Sequence, residues 1–289
     1  MDNKKYNKIE MIAWSVVAVV LTVVLVVFLQ KNSFGIDGLF KMNSNGEMKP
    51  VSEYTIKDVD ELKNISVDFS QGKIKLTESK DDNIYVIFKA DKDIEGEKYL
   101  EVEQKSDALE INSVNKNKLK LLNNTSMKIE LQIPKSYNQN IYISTSVGDT
   151  VFDKDLDIKD LTVKSNVGDI KLNKAIKCES YDIQNDTGDI KVYSIDGAGS
   201  IESDVGDVKC GIYGIKGDID IVSNIGNIKL NVSRDLAFKF KSDKEPEDID
   251  IDFNKVSKDD DNFYGEYGKN PSYTIDVKSD IGDIDLQYK

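Results

Sequence analysis

The 289 residues contain no histidine, two cysteines, four prolines and a single arginine, Arg234, against 38 lysines. Without imidazole there is no Ser-His or Cys-His nucleophile pair and no histidine metal ligand. The commonest hydrolytic and metal-dependent constellations are therefore excluded. The cysteines, Cys178 and Cys210, are too few for a disulfide framework. Scarce arginine beside abundant lysine, asparagine and isoleucine reads as the codon bias of an AT-rich bacterial genome, so the lysine excess requires no functional explanation. The formal net charge is −13. A chain this acidic repels polyphosphates and anionic lipid head groups, so no nucleic acid is expected as partner.

Long apolar runs are also scarce, with one exception: Met11 to Leu29 is nineteen residues without a charge. As a helix rising ~1.5 Å per residue it covers roughly 28 Å, enough to span a bilayer's hydrocarbon core. It is longer than the apolar core of a usual signal peptide. No small-x-small cleavage site follows in Gln30-Lys31-Asn32-Ser33-Phe34, so it reads as an uncleaved transmembrane anchor. Lys4, Lys5 and Lys8 before the span outweigh Lys31 and Lys41 beyond it. This favours a cytoplasmic N-terminus over residues 1–10 and an extracytoplasmic remainder. Residues 30–54, with Gly35, Gly38, Asn43, Ser44, Asn45, Gly46 and Pro50, read as a linker. The folded part is expected over 55–289.

Within it a short phrase returns about every twenty residues: Val147-Gly148-Asp149, Val167-Gly168-Asp169, Thr187-Gly188-Asp189, Val205-Gly206-Asp207, Ile225-Gly226-Asn227 and Ile281-Gly282-Asp283. Apolar residues precede each glycine at odd offsets. Seven before stand Ile141, Leu161, Tyr181, Gly199, Ile219 and Ile275; five before stand Ile143, Val163, Ile183, Ile201, Ile221 and Val277. The residue just before the glycine shares that phase, which places all three columns on one strand face. After the glycine the apolar set moves to even offsets, Ile170, Ile190, Val208, Ile228 and Ile284, then Phe152, Leu172, Val192, Cys210, Leu230 and Leu286. One straight strand cannot bury both sets, because a slip of one residue reverses every side chain. The Gly-Asp pair must be a corner, where glycine takes positive φ freely and Asp or Asn ties its side chain to nearby backbone. Three residues before the glycine stand Thr145, Ser165, Asn185, Ser203, Ser223 and Ser279, placed to stack between coils and hydrogen-bond one another.

The same phase occurs once upstream, in Ile65 to Leu76 around Gly72. Alternating stretches at Ile84 to Phe88, Tyr99 to Val102, Ala108 to Ile111 and Met127 to Ile133 read as strands. The repeat is lost from Ser233 to Ser272, which reads as an altered coil and cap for a solenoid end that would otherwise expose pairing edges. The expectation is an all-β fold, a β-solenoid or β-helix-like stack of ~20-residue coils preceded by one transmembrane helix. Its parts are an irregular end (55–135), regular coils (136–232) and a cap region (233–289).

The Gly72-Lys73-Ile74 turn, the strand closing in Ile133-Pro134-Lys135, the ladder ending in Ser/Asn-x-Val-Gly-Asp-Ile-x-Leu and the final Thr274 to Ile284 are similar to bacterial adhesin-like, or toastrack-like β-strand-repeat, proteins. The resemblance covers about Lys57 to Lys289. It implies an exported β-solenoid-like domain, of a kind found on membrane anchors or beside cell-envelope stress systems, in a family whose function is largely not established. It brings no catalytic residues. Where many relatives carry Ser before the glycine, this chain has Val147, Val167, Thr187, Val205 and Ile225, larger residues that suit burial.

Paired carboxylates could still act as in glycosidases, but turn geometry already accounts for the Asp column. Asp248, Asp250 and Asp252 alternate along one predicted strand, and Asp259, Asp260 and Asp261 form a hard-oxygen cluster suited to calcium. Their spacing matches neither an EF-hand nor the Gly-rich calcium repeat, and a charge run is more often a solvated surface. Export would permit a bond between Cys178 and Cys210, but their unlike coil positions oppose it. No catalytic, cofactor-binding or metal-ligating residue is assigned. The sequence reads as a non-enzymatic, membrane-anchored extracytoplasmic module that binds or scaffolds an envelope protein or polymer; the alternative is a regulatory or sensory part of an envelope-stress system.

Overall fold

A computed structural model describes residues 47–96, 99–114, 125–259 and 262–288. The expected span, residues 11–29, lies outside them. Among the described residues no helix is long and apolar enough to cross a membrane. The chain divides into two units, Met1–Glu47 and Met48–Lys289, and all the strands described below belong to the second. The first is β1 (Lys49–Ile56), antiparallel to β4 (Ile84–Ala90), so strand pairing begins inside the stretch read as linker.

The regular coils run from β8 (Asn140–Val147) through β9 (Thr150–Phe152), β10 (Leu156–Asp157) and β11 (Asp160–Val167). They continue in β12 (Ile170–Thr187), β13 (Ile190–Val205), β14 (Val208–Ile225) and β15 (Ile228–Val232). All of these pair in parallel, each coil on the next. Before the corner Leu161 faces Ile141 and Tyr181; after it Ile190 faces Ile170 and Val208. A short third strip stacks Leu156, Ile176, Ile195 and Ile212. Both apolar phases are thus buried around one core. Isoleucine and valine suit it because β-branched chains pack well on a pleated, half-buried surface. Each buried aliphatic side chain contributes roughly 1.5–3 kcal/mol.

Tyr181 and Gly199 fit together within this core. Most coils carry an aliphatic residue seven before the corner glycine, but this pair places a large ring beside a residue without one, facing each other across β12 and β13. A Cβ on Gly199 would stand 1.9 Å from the Tyr181 carbonyl oxygen, and its φ is +147°.

At both ends the chain order departs from the spatial order. β20 (Thr274–Ile281) lies between β14 and β16 (Phe238–Ser242), and β21 (Ile284–Tyr288) lies between β15 and β17 (Asp248–Ile249). The segment that lost the repeat therefore covers the last coil, and the final strands slide in beneath it. At the other end β2 (Asn64–Gln71) lies between β8 and β6 (Ala108–Ser113), and β3 (Lys73–Glu78) lies between β9 and β7 (Met127–Ile133). Antiparallel strands finish both ends. They are β4 with β1 outside it, and β5 (Leu100–Lys105), at one end, and β19 (Asn262–Tyr267) with β18 (Lys255–Asp259) outside it at the other. The outer strands β5 and β18 carry Glu101, Glu103, Lys105, Lys255 and Lys258, charges that discourage further strand addition.

One buried column is corrected. Val147, Val205 and Ile281, just before the corner glycines, are 44%, 43% and 44% exposed. The chain is already turning there, and the inside of the corner is filled by the small polar residue two positions earlier, which is buried in every coil. The column becomes an outer ridge.

Candidate functional site

The repeated Gly-Asp phrase is the first candidate. Gly148, Gly168, Gly188, Gly206, Gly226 and Gly282 have φ between +129° and +149°, as the corner requires. Each also packs on its predecessor: a Cβ on Gly188 would stand 2.2 Å from the Gly168 carbonyl oxygen.

The following Asp does more than close its own turn. Asp149 Oδ1 accepts the Asp169 N–H at 3.2 Å, Asp169 Oδ1 accepts that of Asp189 at 3.0 Å, and Asp189 Oδ1 accepts that of Asp207 at 3.1 Å. Asp207 serves Asn227, and Asn227 serves Asp283, both at 2.9 Å. A line of carboxylates one coil apart, about 4.8 Å, would repel itself. Lysines relieve it: Lys171 reaches Asp169 at 2.8 Å and Lys191 reaches Asp189 at 2.9 Å. Burial opposes ionisation of Asp169, yet the bonds from Lys171 and the Asp189 amide hold its carboxyl below the ordinary value.

The small polar column behaves differently from expectation. Four of the six bond to corner carbonyls instead of to one another: Asn185 Nδ2 donates to Gly168 O at 3.0 Å, and Ser203 and Ser223 both donate to Gly206 O at 3.3 Å. Ser279 reaches Gly226 O at 3.4 Å. At the last corner, Gly282 O takes the Lys244 ammonium from the covering segment. Asn185, Ser223 and Ser279 thus reach the corner carbonyl of the preceding coil, and Ser203 reaches that of its own. The Thr145 and Ser165 hydroxyls have no partner among the described residues.

Cys178 and Cys210 are free and buried. Burial pushes both thiols up to about 12, so neither is a thiolate nucleophile at neutral pH. Asp250 and Asp252 are exposed, and β17 ends at Ile249, so the predicted alternation of Asp248, Asp250 and Asp252 on one strand is not held. Asp260 and Asp261, and the side chains of Asp248 and Asp259, lie outside the described residues. Among the described residues no group of three His, Cys, Asp or Glu converges to hold a metal.

The structure adds a site that the sequence reading did not single out. On the outer face of β20, β16, β19 and β18, two rows of side chains cross the strands. One is Asp276, Lys241, Tyr264 and Ser257; the other is Thr274, Lys239, Glu266 and Lys255. All of these but Asp276 line a cleft of about 400 Å³. Lys241 pairs with Asp276 at 3.0 Å and Lys255 with Glu266 at 2.8 Å. Asp276 holds the Lys241 ammonium above its ordinary pKa. Lys239 has no ion pair among the described residues. The signal was present in Phe238-Lys239-Phe240-Lys241, where alternation buries both rings and turns both lysines outward.

The architecture is that of a parallel β-solenoid stitched along a Gly-Asp corner. The profile of the Toastrack family, DUF4097, matches residues 62–287, and the chain belongs to that family. Similar solved structures include a candidate cell adhesion protein from Clostridium sporogenes, 16% identical over 83% of this chain and 100% of that one, TM-score 0.38. A candidate adhesin from Bacteroides fragilis is 17% identical over 84% of this chain and 97% of that one, TM-score 0.43. A candidate lipid-binding protein from Parabacteroides distasonis is 14% identical over 84% and 97%, TM-score 0.37. Curated proteins give no match.

Proposed function

We propose that the chain is a membrane-anchored, extracytoplasmic binding module without enzymatic activity, held by residues 11–29 and engaging an envelope protein or polymer through the outer faces of its coils. The observation that carries this reading is the use made of the reactive side chains. The Asp column is spent on joining coils, and Asp169 is held below its ordinary pKa, whereas a glycosidase general acid needs a raised one. The thiols are buried. What the protein offers a partner is surface.

Protease treatment of intact cells tests the placement: the stack should be removed while residues 1–10 stay protected, and a fully protected stack overturns the orientation. Purified protein should leave envelope glycans uncut. Cleavage that is lost when Asp169 or Asp189 is replaced by Asn would refute the non-enzymatic reading.

A further inference from the structure

The cleft over β16, β18, β19 and β20 is unlike the rest of this acidic molecule. Lys239, Lys241 and Lys255 line it with a single carboxylate, Glu266, while Asp276, shared between Lys241 and Lys278, and Asp220 beside it lie just beyond the lining, in a chain that as a whole carries −13. The volume of about 400 Å³ is that of a small-ligand site.

We propose that this cleft binds an acidic glycan, one sugar carboxylate per ring, with a ring laid against Tyr264 and its carboxylate on Lys239. Three features select that chemistry and two alternatives are disfavoured. Tyr264 is half-buried in the cleft and offers an aromatic face with a polar tip, suited to a ligand that is apolar on one side and hydroxylated on its edges. The Lys255–Glu266 pair presents a donor beside an acceptor, which matches neighbouring hydroxyl groups, and both Lys255 and Lys241, the latter held from outside the lining by Asp276, cost little ordering because they are already held. Lys239 is the cation left over for a carboxylate. A densely charged polyphosphate is disfavoured, since Glu266 in the lining and Asp276 just beyond it would repel it. A peptide is disfavoured too, because the cleft lies on a sheet face and extended peptides add at sheet edges.

The assignment deepens the binding-module reading and rests on it for the envelope as the source of the glycan. The test uses the full chain in detergent micelles and three probes: a galacturonic acid hexamer, a neutral glucose hexamer and inorganic polyphosphate of similar length. Calorimetric titration should show the acidic hexamer binding at least about tenfold more tightly than either of the others. Lys239→Gln and Tyr264→Ala should each weaken it by about tenfold or more, with the melting temperature unchanged for the exposed Lys239→Gln. Lys164→Gln, on the regular coils, should have no effect. Absence of binding, equal binding of the neutral hexamer, stronger binding of polyphosphate or indifference to Lys239→Gln would each overturn the proposal. None of these results bears on the protease protection of the stack, so failure of the cleft and failure of the anchored reading are separable.

Discussion

Asp169 Oδ1 accepts the backbone N–H of Asp189 at 3.0 Å, twenty residues along the chain and one coil along the stack. The carboxylate of one turn thereby completes the turn of the next. Asp189 repeats the arrangement toward Asp207 and also meets Lys191. Because Asn227 fills the same place toward Asp283, the position requires an acceptor oxygen and not a charge.

Asp189→Asn should therefore keep the inter-coil bond and lose only an exposed ion pair, about 0.5 kcal/mol. Asp189→Ala should also strand the Asp207 amide, for a total of about 1.5 kcal/mol. Urea unfolding of both variants separates the two terms. Equal losses would show that the carboxylate acts through charge alone.

Much of this was legible in the sequence, because the phase slip at Gly148, Gly168 and Gly188 follows from side-chain alternation alone. The partner of the Asp oxygen was not, since a turn residue can be tied to its own backbone as readily as to a neighbour. The order of the end strands was equally hidden. Ile219 pairs with Ile275, and nothing local marks a partner 56 positions away. Val147, Val205 and Ile281 look like core by alternation, and only the turn geometry puts them outside. The cleft escaped because its lysines were read as part of a general lysine excess, and because the pairing of β16 with β19 and β20 is what gathers them.

Acid should loosen the stack. Asp169, despite burial, and Asp153, bonded to Asn173 and Lys75, hold their protons less tightly in the folded state than at the ordinary value of 3.8. Groups shifted this way give their full stabilisation above the unfolded value and lose it as pH falls through the folded one. The melting temperature should stay level from neutral pH to about 5 and fall below about 4. A melting temperature that rises on acidification below about 4 would contradict the ladder's role.

Tyr181 carries a buried hydroxyl with no hydrogen-bond partner among the described residues. Removing an unpaired buried polar group relieves a desolvation penalty of about 1 kcal/mol or more. Tyr181→Phe should melt at the same temperature as the parent or higher. A loss of stability would mean that the hydroxyl has a partner.

The corner itself is tested by Gly188, whose φ is +129° and whose added Cβ would meet the Gly168 carbonyl oxygen at 2.2 Å. A β-branched residue there meets both backbone strain and a clash with the neighbouring coil. Thermal unfolding of Gly188→Val, followed by far-ultraviolet circular dichroism, should show a loss of about 3 kcal/mol or more, or no folded protein. An unchanged melting temperature would mean that the Gly-Asp phrase is not the corner of the coil.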